Sequence, residues 1–73
     1  MTWRELYLLA TGNHDAIDGL VIRGKRAALE SGDPDLQLAV AAINTQPNVL
    51  FRVLDEHAVP VPAEVLQALR KDR

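Results

Sequence analysis

The 73-residue chain has no cysteine. Disulfides, a thiol nucleophile and a thiolate zinc site are therefore excluded, and a reducing compartment is the natural setting. There is no basic excess either: 8 Lys and Arg stand against 10 Asp and Glu, a formal net charge of −2. Domains that hold duplex DNA draw most of their affinity from phosphate neutralisation, so protein partners are favoured here over nucleic acid. No apolar run approaches the ~18 residues of a membrane helix, and Arg4 and Glu5 break the first apolar stretch. The expectation is a soluble cytoplasmic protein with one domain over residues 1–73. Catalytic equipment is sparse as well. Ser31 is the only serine and stands before Gly32, where its natural job is local capping.

A hydrophobic content of 48% with 25% charged residues is that of a globular chain rather than a disordered one. So short a chain buries only about 60% of the surface its unfolded form exposes.

The punctuation is helical. Thr2 and Glu5 have capping-box spacing and start a helix over about Trp3–Thr11, stopped by Gly12. Asn13 or Asp15 caps a second helix, about Ala16–Ser31, closed by Gly32. Asp33-Pro34 starts a third, reaching about Thr45, and Gln46-Pro47 opens a fourth, ending near His57. The VPVP segment, Val59–Pro62, is extended, because each proline moves its predecessor out of the α region. A last helix spans about Ala63–Arg70. The predicted fold is all-α, a compact array of four to five short helices with no sheet.

Periodicity assigns the faces. The fourth helix has an apolar stripe of Leu50, Val53 and Leu54 with His57 at the core's edge, and the fifth has Val65, Leu66 and Leu69. The third carries Leu36, Ala39, Val40 and Ile43 on one side and Leu38, Ala41 and Ala42 on the other. That all-round apolarity predicts a buried, central helix. In the second helix, Gly19 and Gly24 each cost about 1 kcal/mol relative to alanine, which marks a kink or a close contact.

Candidate chemistry is thin. His14 and Asp18 have the i, i+4 spacing of a helical metal pair but lack a third ligand, and Asp55 and Glu56 diverge on a helix and read as a solvated face. GNHDAIDG and GLVIRGK lack phosphate-loop spacing. No enzyme, cofactor or metal is expected. A helix-turn-helix is disfavoured, since the recognition helix would be LQLAVAAINT, too apolar to read base edges.

Two surfaces remain. Trp3, Arg4, Tyr7 and Leu8 belong to a two-turn helix with more apolar residues than one face can hold, and Trp, Tyr and Arg often dominate interfaces. They form the predicted protein-binding site, with core packing of Trp3 as the alternative. Arg23, Lys25 and Arg26 form the only local charge concentration, a basic patch for a protein surface or nucleic acid, or simply a solvated face.

The start MTWRELYLLATGNHD, the RGKR cluster and the tail PVPAEVLQALRKDR, together with the length, resemble the small Xanthomonas-phage transcription regulators that bind host RNA polymerase. The resemblance covers the whole chain. It implies a non-enzymatic protein that engages the β flap and the β′ N-terminal region near the RNA exit channel. Such a protein displaces sigma factor to inhibit initiation and permits antitermination. The residues themselves predict a monomer that binds protein, with secondary contact to RNA or DNA in the complex and no membrane. Two other classes fit the same composition: a helical adaptor or antitoxin-like partner, and a dimeric DNA-binding repressor.

Overall fold

The computed structural model describes residues 1–43 and 46–71, and all of their side chains except those of Leu69, Arg70 and Lys71. The chain is all-α, with five helices and no strand among the described residues: α1 (Trp3–Ala10), α2 (His14–Glu30), α3 (Pro34–Ala42), α4 (Pro47–Glu56) and α5 (Ala63–Lys71). Each boundary follows from local chemistry. Thr2 and Glu5 make the capping box on α1, and Gly12 follows its end at φ 94°. Asn13 caps α2, which begins two residues earlier than the spacing predicts. The Asp33 carboxylate caps α3 through the N–H groups of Asp35 and Leu36, with Pro34 in the first turn. The expected end of the third helix at Thr45 lies outside the described residues; α3 closes at Ala42.

One cluster of buried side chains unites the helices: Trp3, Leu6, Ala10, Leu20, Ala28, Leu36, Leu50, Phe51, Leu54 and Val65. The third helix is not its centre. Only Leu36 of α3 is buried, while Leu38 is 71% exposed and Ala41 and Ala42 face outward. The central position falls to α4, which packs against α1, α2 and α3 and contributes Leu50, Phe51 and Leu54. Among the described elements α3 has neighbours only in α2 and α4. Among the described residues no other element covers its apolar outer face.

At Gly24 the backbone of α2 comes close to side chains of α4. A Cβ there would lie 3.0 Å from Leu54 Cδ1 and 3.4 Å from Phe51 Cε1. Gly24 therefore marks a close contact, whereas a Cβ at Gly19 would meet nothing within 4 Å.

Candidate protein-interaction surfaces

The aromatic residues of α1 serve the core first. Trp3 is fully enclosed, with its ring stacked on Phe51 at a centroid distance of 6.0 Å and an interplanar angle of 3°. Its indole Nε1–H donates to the Val59 carbonyl at 2.9 Å, so the one polar atom of the ring is satisfied in the interior. Tyr7 is half-buried, 5.6 Å from the Phe51 ring centroid. Trp3 is thus a core residue, correcting its expected place on the binding surface. A short helix holding six apolar residues buries the largest of them, because that removes most apolar area from water.

The start of α1 is clamped by α4. The Asp55 carboxylate accepts from the backbone N–H of Trp3 at 2.9 Å and of Arg4 at 3.0 Å. Thr2 Oγ1 accepts from Glu5 N–H, so the free donors of the first turn have partners. The Asp55 carboxylate at this N-terminus also complements the helix dipole. Asp55 is therefore no merely solvated acid, and its role had no signature in the sequence. Phe51, in the middle of the aromatic cluster, stands beside the Leu50–Leu54 stripe rather than in it.

On the outer side of α1, Arg4 and Leu8 are exposed one turn apart, and Leu8 is 63% accessible. Leu9 is also partly exposed. This side of the helix offers exposed Leu8 beside the exposed Arg4 side chain.

The basic cluster does not form one patch. Arg23 turns towards α5 and pairs with the Glu64 carboxylate. That pair borders a hollow of about 210 Å³ between α2 and α5, lined by Ala16, Gly19, Leu20 and Val65. The hollow is below the roughly 300–1,000 Å³ of small-molecule sites. Lys25 is half-buried and Arg26 exposed, and neither has an acidic partner within ion-pair distance among the described residues. Helical periodicity places them with Ile22 and Leu29, which are 59% and 67% exposed.

His57 follows α4, and its Nδ1 is 3.3 Å from Asp33 Oδ2 at the start of α3. The Asp33 carboxyl lies below the ordinary aspartate value. The Leu36 N–H is the main cause; desolvation opposes it, and the His57 ring and the Asp35 N–H add to it. The next residue, Ala58, takes a left-handed φ of 54°, and the N–H groups of Ala58 and Val59 close the helix end on Asp55 and Leu54 carbonyls. This turn delivers the Val59 carbonyl to Trp3.

No group of three or more His, Cys, Asp or Glu side chains is placed to hold a metal ion among the described residues, and none of their helices is long and apolar enough to cross a membrane. Comparison with protein-family models, curated proteins and solved structures finds no match.

Proposed function

We propose that this chain is a phage-encoded transcription regulator that binds host RNA polymerase in the bacterial cytoplasm. It engages the β flap and the β′ N-terminal region near the RNA exit channel. There it displaces sigma factor, inhibiting initiation, and lets elongating polymerase pass intrinsic terminators. The resemblance of its start, RGKR cluster and tail to such regulators supplies the target. The structural observation that carries the reading is the exposed Arg4–Leu8 face of α1, a helix anchored in the core by the enclosed Trp3 stacked on Phe51. Such a surface is pre-organised, so little ordering entropy is lost on docking.

The mechanism needs no catalysis and no cofactor. Occupying part of the surface that sigma uses shifts the polymerase towards the sigma-free state by the difference in affinity for the two states. A bound protein beside the exit channel also denies a nascent RNA hairpin room to fold.

Purified chain mixed with bacterial core polymerase tests this directly. Co-elution on sizing, release of labelled sigma from holoenzyme and read-through at an intrinsic terminator are the expected results. Absence of binding to core polymerase overturns the reading.

A further inference from the structure

The outer face of α2 has a composition that neither the core nor the proposed polymerase contact through α1 explains. Ile22, Lys25, Arg26 and Leu29 follow i, i+3, i+4, i+7 and so share one stripe. Ile22 and Leu29 are among the most exposed large apolar residues of the protein. The amide of Gln37 donates to the Leu29 carbonyl at 3.2 Å, tying α3 to this end of α2, and the next residue, Leu38, is 71% exposed. Isoleucine and leucine flanking two cations that have no acidic partner among the described residues are of little use against a phosphate backbone, whose recognition is electrostatic. They are what an amphipathic helix would cover.

The charges along the stripe also have a direction. Asp15 and Asp18 lie seven and four residues before Ile22 on the same face, and Lys25 and Arg26 lie three and four after it. We infer that this face receives an amphipathic helix of a protein partner, running antiparallel to α2, with acidic residues in its N-terminal half and basic residues in its C-terminal half. Its acids meet Lys25 and Arg26, its bases meet Asp15 and Asp18, and its apolar stripe covers Ile22, Leu29 and Leu38. Helices commonly carry acids at the N-terminus and bases at the C-terminus because of the dipole, so the required partner is an ordinary one. A second copy of α2 has the same pattern. A two-fold pair, however, would cover only this one stripe on each copy, whereas a stable specific interface buries roughly 1,200 Å² or more. A larger partner adds contacts elsewhere. The inference rests on the protein-binding reading but not on the identity of the polymerase as target.

Two synthetic peptide helices test it against the isotope-labelled full chain. One has leucines on one face, glutamates in its N-terminal half and lysines in its C-terminal half; the other has the charges exchanged. The first should bind at least tenfold more tightly than the second, with amide shifts confined to α2 and α3. Ile22→Glu and Leu29→Glu, at exposed positions that leave melting unchanged, should each weaken it tenfold or more. Equal binding of both peptides, no binding, or shifts centred on α1 overturns the inference. So does a concentration-dependent doubling of mass that Ile22→Glu abolishes, or preferential binding of a single-stranded RNA oligomer at this face. Core polymerase separates the two claims. If it binds the chain while neither peptide does, the polymerase reading stands and this inference falls; if the first peptide binds as stated and polymerase does not, the reverse holds.

Discussion

The rings of Trp3 and Phe51 lie parallel to within 3°, joining the first helix to the fourth across 48 positions of sequence. Tyr7 leans on the same phenyl ring, and the Val59 carbonyl receives the indole N–H. Two helices and the turn after α4 therefore converge on one aromatic stack. Replacing Trp3 by alanine removes the largest buried side chain and orphans that carbonyl. The loss expected is about 3–5 kcal/mol, a large part of the total for a domain whose stability is on the order of 5–15 kcal/mol. Urea unfolding should show the variant's midpoint well below that of wild type; a midpoint near that of wild type would place Trp3 outside the core.

Asp55→Ala withdraws the acceptor from the Trp3 and Arg4 N–H groups. Helix-cap removal costs about 0.5–2 kcal/mol, and the upper half of that range is expected because one carboxylate serves two donors. Hydrogen exchange should accelerate selectively in the first turn of α1. Uniform acceleration across all five helices would show instead that Asp55 acts on the fold as a whole.

The two glycines within α2 should respond oppositely to alanine. At Gly19 the methyl meets open space, and helix propensity alone should stabilise by about 1 kcal/mol. At Gly24 the same gain is opposed by contact with Leu54 Cδ1 at 3.0 Å, backed by Phe51 and Leu50. Overpacking costs typically about 1–3 kcal/mol, so Gly24→Ala should be net destabilising. Melting temperatures that move in the same direction for both variants would refute the close-contact account.

Ala58 occupies the left-handed region after α4, where a non-glycine residue is strained by roughly 1–2 kcal/mol. Ala58→Gly should relieve part of that and raise stability by a few tenths to about 1 kcal/mol, net of the added unfolded-state entropy. A lower melting temperature for the variant would contradict this.

Asp33 sets a pH dependence. Its folded carboxyl ionises below the ordinary aspartate value, mainly through the Leu36 N–H, so folding is favoured by the ionised form. That contribution is fully present above the unfolded value of about 4 and is lost as pH falls through the lower folded value. Asp33→Asn keeps a capping oxygen but removes the titration. Its stability should fall less steeply than wild type below about pH 4, and matching acid-unfolding profiles would count against the role assigned to Asp33.

Helix boundaries were legible because they are set locally. Thr2 with Glu5, Asn13, Asp33-Pro34 and Pro47 all mark helix starts in the folded chain, and Gly12 and Gly32 follow helix ends with positive φ. The Leu50–Leu54 stripe of α4 likewise faces inward. The candidate surfaces were less legible. Arg4 and Leu8 do lie on the outside, but Trp3 does not, and the four-residue RGKR cluster divides between a pair with Glu64 and a separate stripe with Ile22 and Leu29.

The sequence by itself determined the helical class and most helix starts, since capping and backbone preference act within a few residues. Tertiary structure alone decided which helix is central, which aromatic is enclosed and which acid serves another helix. The all-round apolarity of α3 pointed to the centre, yet α4 took that place, because burial depends on which faces of an element its neighbours cover and not on its own hydrophobicity. Asp55 looks like any exposed carboxylate until the start of α1, 52 residues away in sequence, is brought against it. Long-range contacts of this kind leave no periodic trace in a single chain, because the two partners are chosen by the packing of the whole.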